Sequence, residues 1–363
     1  MYDIAIIGGG PAGATLARLI GSKYKVLLLE RRTFQGPLYA GVQKCCGGLI
    51  APDAQKMLAV FGLGIPKSVI LSPQMFSVRT IDIDNDLERY YQRHYINIDR
   101  EEFDKWLHSL IPPQVEIIHG SVYRGHEVKA GFVNIKYSKA GKKYEAEAKL
   151  LVGADGAFSK VRMSSFPEQV LLKKKVLPEK YLAIQEWFET TTNVNYYGAI
   201  FDSEITDFYS WTIPKENCLI LGSALAPNSD AHRKFNLLKK KLESYGFEFN
   251  QSVRKNGTYL LRPSKASQIC IGQGRVGLIG EAAGFISPSS AEGLSYAFRS
   301  ALALGDGLSH GIESWHGFYK KNAGPLFENI VLKNLKSPFM YNRILRACVM
   351  KTGVASIDLY SEV

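Results

Sequence analysis

The sequence predicts an α/β (α+β) chain, with one domain on a mostly parallel sheet and a second on antiparallel strands. Three observations predict it. A glycine-rich turn joins a short apolar run to a helical segment within residues 2–20. Two later apolar runs, near 150–153 and 276–279, each lead into a turn or stretch of small residues. Residues 76–83, 181–189 and 209–221 alternate with the period of two that belongs to strands. The 363 residues, 46% hydrophobic and 22% charged, have ordinary globular composition, and their number suits two domains.

Tyr2 to Ile7 is short and β-branched, as a buried parallel strand would be. Gly8-Gly9-Gly10-Pro11-Ala12-Gly13 follows. Ala14 to Ile20 then continues as a helix with Leu16, Leu19 and Ile20 on one face, and a second strand, Val26 to Leu29, ends at Glu30. Gly8 permits the tight turn, Gly10 lets a pyrophosphate approach the backbone, and Gly13 lets helix and strand pack closely. The helix start presents N–H groups and a positive dipole end to phosphate. Glu30, at the end of the second strand, is placed to accept hydrogen bonds from a ribose. The candidate dinucleotide contacts are therefore Gly8, Gly10, Ala12, Gly13, Glu30 and the adjacent Arg31. This motif alone does not choose between NAD and FAD.

Bulk properties exclude several classes. No run reaches the roughly 18 apolar residues of a membrane span, and the N-terminus lacks the basic region of a signal peptide. Five scattered cysteines (Cys45, Cys46, Cys218, Cys270, Cys348) make no disulfide framework, so a cytoplasmic, reducing location is expected. There is no Cys-x-x-Cys or histidine cluster, so no metal site is expected. The net charge is +11, but no nucleic-acid motif accompanies it. A solvated positive surface is the plain reading, and Lys173-Lys174-Lys175 reads as a solvated loop. Between Lys320 and Lys351 lie seven Lys/Arg and one acid, Glu328, interleaved with Leu335, Phe339, Ile344, Leu345, Val349 and Met350. That pattern suits either a basic amphipathic face at an anionic membrane, peripheral to its inner side, or a C-terminal helix packed on the body.

Two later segments bear on the cofactor. Leu150-Leu151-Val152-Gly153-Ala154-Asp155-Gly156, with Ser159 and Arg162 after it, is a strand ending in a tight turn. Val276-Gly277-Leu278-Ile279-Gly280-Glu281-Ala282-Ala283-Gly284 is a strand running into small residues, followed by Pro288 to Gly293 and an apolar helix through Phe298. The order of these segments resembles the flavoproteins built like p-hydroxybenzoate hydroxylase, which include the geranylgeranyl reductases. The resemblance covers roughly residues 1–310 and implies a Rossmann-like FAD-binding domain with an antiparallel-sheet substrate domain. It implies FAD contacts at Asp155 and Gly156, at Glu281 where the family usually has aspartate, and at Gly293 and Leu294. It further implies contacts at Arg100 in Ile98-Asp99-Arg100-Glu101-Glu102-Phe103, and at Val122, whose backbone meets the adenine. Asp99 is suited to cap the helix at Arg100, and Phe103, Trp106, Leu107 and Leu110 give that helix an apolar face.

Two further segments resemble one branch. Lys44-Cys45-Cys46-Gly47-Gly48-Leu49-Ile50 looks like the Cys-Gly-Gly segment of geranylgeranyl reductases, which implies that Cys46, Gly47 and Gly48 lie beside the flavin and that Cys46 takes part in catalysis. Tyr209-Ser210-Trp211-Thr212-Ile213-Pro214-Lys215, with a turn at Glu216-Asn217, resembles their Tyr-x-Trp-x-Phe-Pro segment. Strand alternation puts Tyr209, Trp211 and Ile213 on one face, an aromatic wall for an apolar substrate. Together with Gly280-Glu281-Ala282-Ala283-Gly284-Phe285-Ile286-Ser287 and Ala183-Ile184-Gln185-Glu186-Trp187-Phe188, these segments look like the CbrA-type subgroup.

The expected FAD-binding domain is discontinuous, at 1–70, 95–165 and 265–310. The substrate domain takes 71–94 and 166–264, with a helix from Ala231 to Tyr245, and 311–363 forms a C-terminal helical segment. The resemblance implies an FAD-dependent oxidoreductase in which reduced flavin reduces a C=C bond of an apolar, isoprenoid-type substrate, with electrons from NAD(P)H or another external donor. Two alternatives share the fold: an FAD monooxygenase using NAD(P)H and oxygen, and a non-catalytic FAD- or lipid-binding protein. His94 and Tyr209 are the candidate proton donors, and neither is singled out by the sequence.

Overall fold

The computed structural model describes residues 1–34, 45–167, 177–191, 194–227 and 229–358; Lys44 and Lys173-Lys174-Lys175 lie outside the described residues. The chain divides into two compact units. One comprises Met1–Val42, Phe103–Glu179 and Leu261–Asn334; the other comprises Gln43–Glu102, Lys180–Leu260 and Leu335–Val363.

The first unit is built on strand Tyr2–Ile7, which pairs in parallel with Val26–Glu30 on one side and with the end of Lys142–Gly153 on the other. Glu116–His119 and Val276–Leu278 extend the parallel sheet at its two sides. Ile4, Ala5, Ile6, Val26, Leu27, Leu28, Leu150, Leu151 and Val152 have no exposed surface. Such continuous apolar runs are what a parallel sheet covered on both faces requires. Ser121–Val128, Val133–Lys139 and the start of Lys142–Gly153 form an antiparallel meander. Helix Pro11–Ile20 packs against helix Leu294–Leu308. In helix Trp315–Asn322, Trp315 Nε1 donates to the Gly274 carbonyl (3.0 Å) and Tyr319 Oη to that of Leu278 (2.9 Å).

The second unit carries a sheet in the order Ser252–Arg262, Glu179–Glu189, Cys218–Leu225, Ser210–Lys215, Tyr197–Phe201, Met75–Asp82, Leu87–Asn97, Ser356–Ile357. The pairing of Tyr197–Phe201 with Met75–Asp82 is parallel, a departure from the antiparallel pattern expected throughout. Ser210–Lys215 and Cys218–Leu225 form the hairpin that turns at Glu216-Asn217. Helix Ala231–Glu243 is capped by Asp230 and sets Phe235, Leu238 and Leu242 into a cluster with Ile184, Phe188, Ile200 and Leu221.

The division of the chain differs from the expected one. Residues 43–70 and 95–102 cluster with the second unit rather than with the glycine-rich turn, the stretch from 166 to Glu179 and residues 261–264 cluster with the first, and the tail is shared between the units at Asn334. The first and last of these differences have one cause. Leu49–Ile50 pairs with Leu87–Asn97, and Ser356–Ile357 pairs with the same strand, and neither long-range pairing leaves a local sequence signal. Among the described residues no helix is long and apolar enough to cross a membrane.

Candidate active site

The candidate residues divide between the units. Gly8, Gly10, Ala12, Gly13, Glu30, Arg31, Val122, Asp155, Gly156, Glu281, Gly293 and Leu294 lie in the first; Cys46, Gly47, Gly48, Arg100, Tyr209, Trp211 and Ile213 lie in the second.

In the first unit the turn is built as the glycine spacing requires. A Cβ on Gly13 would overlap the Gly8 carbonyl oxygen, and one on Gly8, whose φ is +101°, would lie 2.6 Å from the Ala154 carbonyl oxygen. Gly10 caps helix Pro11–Ile20 and has no side chain to bond the first N–H groups, so these are left for an anion. Glu30 is buried: its Oε2 accepts from Gly9 N (2.7 Å), and its Oε1 accepts from Arg32 N (2.8 Å) and Arg32 Nε (3.1 Å). Burial raises this carboxyl, but Arg32 and the two backbone N–H groups outweigh it and hold the group below its ordinary range. The arginine at Glu30 is thus Arg32, which also bonds Asp104 (2.7 Å), whereas Arg31 is exposed.

His108 Nε2 lies 2.5 Å from the Gly9 carbonyl. Burial keeps its imidazole neutral by pulling the pKa down, so Nε2 carries the proton and Nδ1 is an acceptor. Phe34 packs edge-on against His108 and His119. A Cβ on Gly9 would lie 2.6 Å from the His108 ring, which explains the third glycine in the run. Sequence reasoning missed His108 and His119, and no motif marks them.

Asp155 sits beside Gly8. Burial raises its carboxyl, Oδ2 accepts from Val161 N (3.3 Å), and Oδ1 is buried with no hydrogen-bond partner among the described residues. Such an acceptor is expensive to leave unmade and fits a site for a hydroxyl-bearing ligand. Arg162 ties this segment to the next one, donating to the carbonyls of Ala283 (3.3 Å) and Gln268 (2.8 Å). Glu281 Oε1 accepts from Leu261 N (3.1 Å). At the start of the 15-residue helix Leu294–Leu308, Glu292 accepts from Ser295 N (2.7 Å), so one of the N–H groups near Gly293 and Leu294 is already held by a carboxylate. Val122 lies in strand Ser121–Val128, half-buried.

In the second unit Asp99 caps the helix as expected, accepting from Glu101 N (2.8 Å) and Glu102 N (3.0 Å). This orients Arg100, whose Nη1 donates to Cys46 Sγ (3.2 Å), with Gly48 N 3.5 Å from the same sulfur. Cys45 turns elsewhere: its thiol donates to Gln185 Oε1 (3.5 Å), and burial first, then Cys46, pushes it up to about 12. Lys215, the last residue of the aromatic segment, is buried, and its Nζ donates to the carbonyls of Gly48 (2.9 Å) and Ile98 (2.7 Å) and to Asn97 Oδ1. Burial pulls its pKa to about 7, against the pull of Cys46, Asp99 and Glu216. Lys215 went unnoticed in the sequence, although a lysine directly after an apolar strand that ends in proline was a usable signal.

Tyr209, Trp211 and Ile213 do share a face. The rings of Tyr209 and Trp211 are 5.4 Å apart, and a Cβ on Gly47 would overlap Ile213 Cδ1. Trp211 lies over Gly222 of the neighbouring strand, where any side chain would meet the indole. His94, by contrast, is exposed.

No protein-family model matches the chain. The chain is 40% identical over 356 residues to Protein CbrA of Escherichia coli K12, covering 98% of each. It is likewise 40% identical to Protein CbrA of Escherichia coli O6:H1, over 98% of this chain and 94% of that one. A geranylgeranyl bacteriochlorophyll reductase-like protein from Thermoplasma acidophilum superposes with a TM-score of 0.78 at 18% identity, covering 97% of this chain and 90% of that one. A probable FAD-dependent monooxygenase from Pseudomonas aeruginosa superposes with a TM-score of 0.69 at 16% identity, covering 96% and 99%.

Proposed function

The chain belongs to the CbrA family, and we propose that it is an FAD-dependent oxidoreductase of the geranylgeranyl reductase group that reduces C=C bonds of an apolar, isoprenoid-type substrate. FAD supplies the hydride when it is bound, after reduction by NAD(P)H or another external donor. The glycine turn, the start of helix Pro11–Ile20, Glu30 and Asp155 would hold the dinucleotide. Cys46, Gly47, Gly48 and Arg100 would lie toward the flavin.

The observation that carries this reading is the combination, within one unit, of an apolar aromatic face with a thiol held at a guanidinium. Tyr209, Trp211 and Ile213 suit a hydrocarbon and offer no charge to it. Cys46 supplies the proton: its thiol gives H⁺ to the second carbon, and the thiolate left behind is stabilised by Arg100 Nη1 at 3.2 Å and by Gly48 N–H. Hydride and proton together add the two hydrogens. Lys215 holds the Gly48 and Ile98 carbonyls in place, which positions the loop that carries Cys46. A monooxygenase reading is supported as well, by the likeness to the Pseudomonas aeruginosa protein and to p-nitrophenol 4-monooxygenase from Pseudomonas putida.

The test is anaerobic photoreduction of the flavin-loaded protein followed by addition of prenylated lipids. Reoxidation with a substrate gain of two hydrogens supports the reading. A flavin that stays reduced until air is admitted, with hydroxylation of an added compound, replaces it with the monooxygenase.

A further inference from the structure

Helix Arg343–Thr352 is turned the wrong way for a helix that faces water. One of its two arginines points inward: Arg346 is 5% exposed, and its Nη2 donates to Asp82 Oδ1 (2.7 Å) and Asp84 Oδ2 (2.8 Å). Met350, one turn on, is buried beside it, and Asn342, one turn back, caps the helix by accepting from Ile344 N and Leu345 N. The outward side therefore presents Ile344, Leu345 and Val349.

The helix is fixed in this orientation. Arg89 Nε donates to the Met350 carbonyl (3.1 Å), and the residues just beyond, Ser356–Ile357, pair with Tyr91 and Tyr90. The chain just before it continues the apolar surface, with Leu335 67% and Phe339 52% exposed beside Ile344 at 72%. In the same segment Lys336, Arg343 and Lys351 are exposed. No Asp or Glu occurs between Glu328 and Asp358.

We propose that residues 335–354 form a membrane-contact surface that takes an anionic phospholipid bilayer. Exposed aliphatic and aromatic side chains set among cations, on a helix held parallel to the surface, are the makings of an interfacial anchor. The apolar groups enter the acyl boundary, and the flanking Lys336, Arg343 and Lys351 meet lipid phosphates. Charge argues against a second copy as the occupant, since two-fold pairing of this face would set its cations against one another with no acid between them.

The experiment is co-sedimentation of the full-length chain with vesicles of phosphatidylcholine, with and without phosphatidylglycerol. Binding is expected to the vesicles containing phosphatidylglycerol and to weaken with salt. The combined change Leu335→Ser, Phe339→Ser and Ile344→Ser should lower partitioning at least about tenfold. Arg343→Gln with Lys351→Gln should lower it roughly 25-fold, about fivefold per charge. All these side chains are exposed, and the one hydrogen bond lost, Arg343 Nε to Asn85 Oδ1 (3.2 Å), lies at the surface. The unfolding constant read from urea is therefore expected to change by no more than roughly twofold, about 0.5 kcal/mol, in both variants. Absence of binding to either vesicle overturns the proposal. So does equal partitioning of the apolar variant and the parent, and so does a dimer that the apolar variant dissolves and vesicles fail to displace.

Discussion

Lys215→Met tests the arrangement around Cys46 most directly. The fall of the Lys215 pKa from 10.5 to about 7 through burial corresponds to about 5 kcal/mol against the charged form. The sign follows from proton counts. Between pH 7 and the ordinary lysine value the unfolded chain binds more protons than the folded one, so stability rises with pH through that window. Below pH 7 both states are protonated and the penalty is fully present. From roughly pH 7 to roughly pH 9.5 the parent should gain up to about 3 kcal/mol relative to Lys215→Met. The three oxygens around Nζ oppose this, because an ammonium has three hydrogens to give them and a neutral amine only two. Methionine leaves the Ile98 carbonyl and Asn97 Oδ1 without this donor, while the Gly48 carbonyl keeps Ile98 N (2.9 Å), and that loss, about 1–3 kcal/mol for each buried acceptor, does not depend on pH. The assay is urea unfolding of both proteins at several pH values in a Cys46→Ala background, so that this thiol does not titrate. Parallel stability curves would refute the reasoning, since they would mean that the carbonyls keep Lys215 charged throughout.

Arg100→Met should move the pH midpoint of Cys46 alkylation by iodoacetamide upward by about one unit or more, while Arg100→Lys should restore most of the difference. Gly48→Ala meets a φ of +62°, and its Cβ would lie 2.7 Å from Lys215 Nζ; a loss of about 1–3 kcal/mol in chemical denaturation is expected. Gly13→Val overlaps the Gly8 carbonyl, and the purified protein should carry little flavin by its visible absorbance. Asp155 has a raised pKa, so the parent should gain stability over Asp155→Asn as pH falls through the folded value toward the ordinary carboxylate range, read from thermal midpoints. Equal shifts in both proteins would show that this carboxyl is not strained.

Local pattern was legible wherever local forces decide. The strand at Tyr2–Ile7, the turn and its helix, the Asp99 cap and the Glu216-Asn217 hairpin all follow from residue type and spacing, and the structure has them. What was illegible depends on partners far away in the chain. Arg32 rather than Arg31 meets Glu30 because Asp104, 72 residues on, pulls its other end. His108 meets Gly9 across 99 residues. Lys215 and Arg346 are the sharper cases. Both residue types are ordinarily placed at the surface, and both are buried here because acceptors converge on them from other segments.

The two adjacent cysteines show how far that dependence reaches. In sequence nothing distinguishes Cys45 from Cys46. In the structure the two thiols go to different partners. Cys45 is directed to the neutral amide of Gln185 in strand Glu179–Glu189, where burial makes it a poor acid. Cys46 is directed to a guanidinium fixed by the Asp99 cap, with the buried Lys215 amine holding the loop behind it. Arg254 also acts on Cys45, but there burial outweighs it, whereas Arg100 donates directly to the Cys46 sulfur. The division of labour therefore belongs to Arg100 rather than to either cysteine, and exchanging Cys45 for serine should leave the alkylation profile of its neighbour almost unmoved, whereas exchanging Arg100 should not.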